Sequence, residues 1–599
     1  MTGTLALMAG APRYGAPGDV SRNLSAILDL VNEARVSGAQ ALVLPELALS
    51  SAACGDLFRH RLLTDACAGA LADVARTCGD MACVLGLPLR TGMGVHNAAA
   101  LIRGGEVAAF IIKQNLSPRE RSFFCGEVPD SAEWRGRSVA CHAQATMRVQ
   151  GDMELTAAFW DDICARPALD GRAAVLAPAA FPTLAGGTER LLERVGSLTA
   201  KGAVLALANA GANESTTDEV FGGEAVISRG GAILSHADSF SGKAAFAFAV
   251  PPGETPVPAP ARQPAAMPPD PAEPYMPPEG PARVRWCRDC VEIPARALAV
   301  RMERVGARAA TIGVSGGLDS AMALLVIRRA FALLGLPAEQ IIACSLPGLG
   351  TGERTRGNAR RLMEAVGLQP REIDIRASVL AHFRDIGHPP GLMDTAFENA
   401  QARERTQVLM DLANMHGGLM VGTCDLSEDA LGFSTFGGDH LSMYCVNCGL
   451  YKSAIRHAVR QAAQDAGEGA LRGALLDILE TPVSPELLPG APGTLAQETE
   501  NIVGPYLLND FFAHHFLTSA ATPAEMLGLA RSAFGDTYGR AEIVERMRAF
   551  FTRFFASQFK RNCLSDGPQV LGVSLSPRGG LAMPSDASAA VWLDALDRL

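Results

Sequence analysis

Apolar and polar positions follow two rhythms along the first 250 residues. Residues 40–45 (QALVLP), 81–87 (MACVLGL), 107–113 (VAAFIIK), 173–177 (AAVLA) and 203–208 (AVLALA) are continuous apolar runs of strand length. Such runs predict strands buried on both faces. Between them lie stretches such as residues 21–36 (SRNLSAILDLVNEARV), where apolar positions recur at helical spacing. After residue 283 the pattern predicts a helix, then a strand at 308–314 (RAATIGV). A glycine turn follows, then a helix over about 320–334 closed by Gly335, and a second strand at 340–345 (QIIACS). Strand, helix, strand in this order is a βαβ unit and implies a parallel sheet covered by helices.

One stretch breaks both rhythms. Residues 251–282 hold 13 of the 37 prolines. Proline lacks the amide donor and has a fixed φ, so this stretch is expected to be neither helix nor central strand but an extended linker. It divides the chain into residues 1–250 and residues 283–599, two domains, which suits a length of 599 residues. Hydrophobic residues at 48% and charged residues at 19% exclude wholesale disorder. The net charge of −10 argues against a nucleic-acid binder, which needs a basic patch. No apolar run approaches the ~18 to 20 residues that span a bilayer, so no membrane partner is expected. The first residues, MTGTLALMAGAPRYGAPG, lack the charge and apolar run of a secretory signal, and the expected location is cytoplasmic. The 14 cysteines then read as reduced thiols. Two pairs have C-x-x-C spacing, Cys287 with Cys290 and Cys445 with Cys448, but they stand far apart in the chain and read as buried thiols before they read as a zinc site.

The most specific chemistry lies at Gly313-Val314-Ser315-Gly316-Gly317-Leu318-Asp319-Ser320, between the predicted strand and helix. The glycines let backbone amides approach an anion, and the helix N-terminus points its partial positive charge at the same place. Ser315 and Ser320 add hydroxyl donors, and Asp319 can hold Mg²⁺ against phosphates. The segment is neither a Walker A loop nor G-x-G-x-x-G.

S-G-G-L-D-S resembles the pyrophosphate loop of the N-type ATP pyrophosphatases. Further segments are similar to glutamine-dependent NAD synthetases, in the same order from residue 308 to the end. These are SLPGLGTG (345–352), IGHP (386–389), FENAQAR (397–403), VGTCDLSEDALGFST (421–435), VNCGLYKS (446–453), TPVSPELLP (481–489), SQFKR (557–561) and SPRGG (576–580). The resemblance implies an α/β protein: a nitrilase-like α-β-β-α sandwich, then a parallel-sheet ATP pyrophosphatase domain. It implies ATP-dependent amidation of deamido-NAD through an adenylate, with Mg²⁺. By the same resemblance residues 313–320, Leu346 and Thr423 bind ATP, Asp319 and Glu428 hold the metal, and Asn399, Glu428, Phe433 and Lys560 meet deamido-NAD. Lys452 matches a lysine near the reacting phosphate. On residue type alone Phe433 reads as core and Lys452 as a surface charge, so both roles rest on the motif. Three departures sit beside the site without removing a group the chemistry needs. The residue before Lys452 is Tyr451 where the family usually has proline. Cys445 and Cys448 stand where similar members carry Asn and Ala. Residues 433–441 are one position short. The family also implies a homo-oligomer, commonly an octamer.

In this family the N-terminal domain hydrolyses glutamine with a Glu base, a Lys for the oxyanion and a Cys nucleophile. Glu46 in LVLPELALS and Lys113 in FIIKQNLSP match the first two, and residues 215–227 (STTDEVFGGEAVI) also resemble this domain. The nucleophile is absent. Where the family has I-C-E-D, this chain has Phe159-Trp160-Asp161-Asp162. Cys164 lies four residues on, about 13 Å away in an extended chain and about 6 Å in a helix, against a tolerance near 1 Å. Arg119 replaces a glutamine-contacting Tyr, and PAAFPTLAGG (178–187) lacks the expected Asn and Ser. The expectation is a decayed glutaminase whose Glu46 and Lys113 survive as a buried pair, and a synthetase fed by ammonia. Three other readings stay open: a glutamine-hydrolysing synthetase working through Cys164, a nucleotide-binding pseudoenzyme, and a stand-alone amidohydrolase. The intact phosphate loop, Glu428, Lys452 and Lys560 argue against the second, and Trp160 against the third.

Overall fold

The structure is a computed structural model that describes residues 5–13, 15–149, 154–214, 217–249, 269–481, 487–488 and 499–599. Residues 251–268 of the proline-rich stretch, 215–216 of STTDEVFGGEAVI, and 482–486 and 489 of TPVSPELLP lie outside the described residues. The chain forms two compact units. One comprises Met1–Thr183, Gly187–Ser215 and Glu219–Ala266; the other comprises Leu184–Gly186, Thr216–Asp218 and Met267–Leu599.

The first unit holds two sheets. Strands β1 (Leu5–Ala9), β2 (Ala41–Val43), β3 (Ala82–Thr91), β4 (Gly94–Arg103), β5 (Glu106–Ile112), β6 (Ser131–Trp134) and β7 (Arg137–His142) build one of them. Strands β8 (Ala145–Arg148), β9 (Glu154–Ala157), β10 (Ala174–Pro178), β11 (Val204–Ala208), β12 (Ala225–Arg229) and β13 (Ala232–Ala237) build the other. β14 (Ala245–Ala249) returns to pair antiparallel with β1, so the first sheet runs β14-β1-β2-β3-β4-β5-β7-β6 and the second β13-β12-β11-β10-β9-β8. Alternate residues explain the layers. Leu42 and Leu44 face helices α1 (Val20–Val36) and α2 (Arg61–Cys78), packing with Ile27, Val31, Leu71 and Val74. Val43, Val84 and Ile111 face the other way and meet Leu176, Ala206 and Ile227 of the second sheet. The far side of that sheet buries Val175, Leu205 and Leu207 against α3 (Trp160–Cys164) and α4 (Gly187–Thr199). This is the expected α-β-β-α sandwich, and it explains the continuous apolar runs: the central strands are covered on both faces.

The second unit is built on a five-stranded parallel sheet. Its elements are α5 (Pro281–Val305), β15 (Ala309–Gly313), α6 (Leu318–Leu334), β16 (Ile341–Ser345), α7 (Glu353–Ala365), β17 (Arg371–Glu372), α8 (Arg376–Ile386), α9 (Thr395–Met415), β18 (Gly418–Gly422), α10 (Leu426–Leu431), β19 (Tyr444–Cys445) and α11 (Lys452–Asp465). Helices α12 (Ala470–Leu479), α13 (Thr499–Val503), α14 (Tyr506–Ser519), α15 (Pro523–Phe534), α16 (Arg540–Ala556), α17 (Gln558–Arg561) and α18 (Ala590–Asp597) complete it. The sheet order is β17-β16-β15-β18-β19, with parallel pairing throughout. The chain leaves β15 toward β16 and later returns on the other side as β18. The carboxyl ends of β15 and β18 therefore bound a switch point, where parallel sheets open a crevice. One expectation is corrected here. Pro281 and Ala282, assigned to the non-helical stretch, open helix α5, because proline at the first helical position gives up no hydrogen bond. No helix among the described residues is long and apolar enough to cross a membrane.

Candidate active site

The phosphate loop sits at the switch point. β15 ends at Gly313 and α6 starts at Leu318. Gly316 has φ +81, and a Cβ there would lie 2.2 Å from the Thr355 carbonyl oxygen, so only glycine fits. The Gly317 amide donates to Ser315 Oγ at 3.2 Å, and the Ser320 hydroxyl donates to the Gly317 carbonyl at 3.0 Å. A cavity of about 280 Å³ opens over this loop. Its wall includes Gly313, Val314, Ser315, Gly316, Gly317, Leu318, Asp319 and Ser320, with Leu346, Thr423, Glu428 and Phe433. The other predicted residues reach the wall through neighbours. Asn399 Oδ1 accepts from the Thr435 hydroxyl at 3.0 Å, and the Thr435 amide donates to Asp439 of the wall at 2.7 Å. Lys560 Nζ donates to the carbonyls of Gly432 and Ser434, each at 2.7 Å, and so brackets Phe433. Burial lowers the Lys560 ammonium below the usual lysine range.

Lys452 is buried under the cavity and ties the site together. Its ammonium lies 2.7 Å from Asp319 Oδ2, 2.8 Å from Asp425 Oδ2 and 2.9 Å from Glu428 Oε1. Burial acts to lower its pKa, but the three carboxylates outweigh burial and hold it well above the usual lysine value. Burial pushes Glu428 up to about 7 and Asp425 well above the ordinary range, with Lys452 opposing both. Oxygen atoms of Asp319, Asp425 and Glu428 come within 4.8 Å of one another. Asp319 Oδ1 is buried with no hydrogen-bond partner. Three hard oxygen donors and an orphaned carboxylate oxygen fit Mg²⁺. Asp425 was missed in the sequence. It is the N-cap of α10 and accepts from the Glu428 amide at 2.8 Å, so its D-x-x-E spacing reads as a helix cap and hides its other face. Arg405 also lines the cavity, anchored to the Leu346 carbonyl at 3.0 Å, and lies just past the FENAQAR segment.

In the first unit Glu46 and Lys113 do meet. Glu46 follows β2, where Leu47 takes a left-handed φ of 50. Gly86 lies beneath it: a Cβ there would stand 2.3 Å from the Pro45 carbonyl oxygen and the Leu47 nitrogen. Lys113 Nζ lies 3.0 Å from Glu46 Oε2, 2.9 Å from Glu120 Oε1 and 2.5 Å from Asp161 Oδ2. The Asn97 amide donates to Glu46 at 2.8 Å. Burial raises Glu46 to about 7 against the pull of Lys113. An ammonium has three donors, and here three carboxylates take them. Trp160 opens α3 and is buried in the apolar layer with Ile163 and Val175, its ring 6.3 Å from that of Phe181. Cys164 is the last residue of the same five-residue helix, one turn away. Arg119 pairs with Glu219 at 3.8 Å.

The chain is similar to known proteins in both sequence and fold. Residues 292–465 match the NAD synthase family model. A glutamine-dependent NAD(+) synthetase of Mycobacterium tuberculosis is 32% identical over 684 aligned residues, covering 99% of this chain and 97% of that protein. A crystal structure of a glutamine-dependent NAD(+) synthetase from Cytophaga hutchinsonii superposes with a TM-score of 0.78 at 20% identity, covering 99% of this chain and all of that one (100%). The Acinetobacter baumannii glutamine-dependent NAD+ synthetase in complex with ADP gives a TM-score of 0.64 at 17% identity, covering 96% of this chain and 97% of that one. With a relative this similar along nearly its whole length, the chain belongs to the glutamine-dependent NAD synthetase family, ligases that form a C–N bond.

Proposed function

We propose that this protein makes NAD from deamido-NAD, ATP and ammonia, releasing AMP and pyrophosphate. The observation that carries the reading is the Lys452 cluster at the floor of the phosphate-loop cavity. A nicotinate carboxylate is a poor electrophile. One of its oxygens attacks the α-phosphorus of ATP, the bond to pyrophosphate breaks, and the adenylate forms. Ammonia nitrogen then attacks the acyl carbon, AMP leaves, and the nitrogen loses a proton. The amides and hydroxyls of residues 313–320 bind the phosphates, and Lys452 supplies positive charge where phosphate charge develops. Asp319, Asp425 and Glu428 would hold Mg²⁺, which supplies charge neutralisation to the phosphates. Leu346 and Thr423 line the ATP side. Phe433 offers a ring face to the pyridine, held in place by Lys560, with Asn399 alongside.

Ammonia as the donor rests on the first unit. Trp160 offers no nucleophile where the family pattern has a cysteine, and the Lys113 ammonium is engaged by Glu46, Glu120 and Asp161. Glutamine is the second reading, favoured by the full-length similarity to glutamine-dependent relatives. The proposal includes a homo-oligomer, a cytoplasmic location and a division into residues 1–250, a proline-rich linker starting at 251, and a synthetase domain that takes in helix α5 from Pro281 and runs to 599. The test is NAD formation from deamido-NAD, ATP and Mg²⁺, with ammonium and with glutamine in parallel. Product with ammonium alone is expected. Product with glutamine overturns the choice of donor, and product with neither overturns the ligase reading.

A further inference from the structure

Helix α11 carries Lys452 as its first residue, yet its own N-cap is unable to serve it. Tyr451 occupies the cap position and makes no side-chain hydrogen bond there. The first amides of a helix have no intrahelical acceptor and need one from elsewhere. Here they find it on other helices. The Lys452 amide donates to Ser427 Oγ of α10 at 2.8 Å. The Ser453 amide donates to Asp510 Oδ2 of α14 at 3.0 Å. Asp510 is fully buried and also accepts from the hydroxyls of both serines, that of Ser453 at 2.6 Å.

The result is a cap supplied by a residue 57 positions away in the chain. It does more than end a helix. Ser427 lies between Asp425 and Glu428 on α10, so one carboxylate clamps the helix of Lys452 to the helix of its counter-ions. A negative charge at this N-terminus is also favoured by the helix dipole. One turn earlier on α14, the Tyr506 ring lies 5.1 Å from the Lys452 ammonium. α14 thus supports Lys452 at both its backbone and its charged end. A fourth residue closes the arrangement. The Tyr275 hydroxyl lies 2.5 Å from Ser453 Oγ, and its ring packs 4.7 Å from that of Tyr451.

We propose that Asp510, seated by Tyr275 through Ser453, is a positioning residue for the ligase reaction: it locks α11 to α10 so that Lys452 meets Asp319, Asp425 and Glu428. The inference rests on the ligase reading above. Asp510 is neither in the cavity wall nor one of the three clustered carboxylates, and its effect passes through Ser427 on α10 and Ser453 on α11.

The test is a double-mutant cycle on the full chain, with ammonium as donor and each variant assayed well below its melting temperature. The proteins are the wild type, Ser427→Ala, Asp510→Ala, the double variant and Tyr275→Phe. Displacing a reacting group by about 1 Å costs on the order of 10²-fold, so kcat is expected to fall by about 10- to 100-fold in both single variants. KM for ATP is expected to stay within about twofold, since the phosphate loop is untouched. Residues acting through one chain of contacts are not additive, so the double variant is expected to be no slower than the worse single one. Tyr275→Phe is expected to lose a few-fold in kcat only. An unchanged kcat, losses that multiply, or losses confined to KM would overturn the proposal. A destabilised but fully active Asp510→Ala would reduce Asp510 to a structural residue, which also overturns it. If Asp510→Ala does not fold, Ser427→Ala and Tyr275→Phe carry the comparison. An inactive wild type defeats the ligase reading itself, and so is told apart from failure of the positioning role.

Discussion

Asp161 holds a carboxylate oxygen 2.5 Å from the Lys113 ammonium, and its chain neighbour Trp160 turns the other way into the apolar layer. The proposed loss of glutamine hydrolysis rests on these two residues: one is the third carboxylate on the lysine, and the other is a buried ring.

Restoring the thiol alone is therefore not expected to restore glutaminase activity. Trp160→Cys should show no glutamine-dependent NAD formation, while ammonium-dependent formation stays at the wild-type level. The cost is in stability. Truncating a buried indole in a packed layer costs about 3–5 kcal/mol, so the first unit should melt at a lower temperature in calorimetry. Glutamine turnover by this variant would mean that Lys113 keeps a donor free in solution.

The second prediction concerns Asp425. Asn is as good an N-cap as Asp, so Asp425→Asn keeps α10 capped and removes only the charge. If Asp425 helps hold Mg²⁺, more Mg²⁺ is needed for half-maximal activity, by roughly tenfold. Calorimetric titration of Mg²⁺ with ATP should weaken in parallel. Lys452 also loses one of three counter-charges, and burial then pulls its pKa down. A variant with unaltered Mg²⁺ dependence would place the metal on Asp319 and Glu428 alone.

Gly316 gives a test of the phosphate loop. Its φ of +81 already disfavours any side chain, and the new methyl of Gly316→Ala would meet backbone atoms of α7, not a side chain that can move. The Thr355 carbonyl oxygen at 2.2 Å and the Ala359 nitrogen at 2.9 Å must both shift. ATP binding followed by calorimetry should weaken by more than tenfold, or about 1.4 kcal/mol. Retention of ATP affinity would show that α7 is free to move.

The central strands and the phosphate loop were legible because each depends on near neighbours in the chain. Residues 40–45 need only an apolar run, and Gly313 to Ser320 need only a strand, a turn and a helix. Strands β6, β7 and β8, at or next to a sheet edge, are short; β6 and β7 alternate between exposed and buried residues and β8 between exposed and half-buried ones, so their signal is weak. Lys452 shows the limit at the site. As a residue type it reads as a surface charge, and it is buried only because Asp319, Asp425 and Glu428 converge on it from α6 and α10. Asp510 was invisible for the same reason: its partners are far away in sequence. Trp160 was the opposite case, since a residue that departs from the family pattern shows directly at one position.

The last prediction is a pH dependence away from the carboxylate cluster. His514 packs among Tyr275, Tyr451 and His515, with ring centroids 5.6, 6.2 and 5.4 Å away. Its Nδ1 is buried with no hydrogen-bond partner. Burial, helped by His515, lowers its pKa to about 4 from an ordinary 6.5. The fold therefore favours neutral His514. In the unfolded chain the same ring takes a proton near pH 6.5. Its contribution to stability is complete above pH 6.5 and is lost as pH falls toward 4. Asp510, one turn earlier on α14, works in the opposite sense. Burial raises it to about 6, so its contribution is complete below 3.8 and is lost as pH rises through 6. His515 is also lowered by burial and adds to the acid loss. His514→Phe keeps a ring and removes one titration. Its melting temperature should fall less than that of the wild type between pH 7 and pH 4.5, and the difference between the two curves should open below pH 6.5. Parallel curves across that range would mean that His514 reaches water in solution.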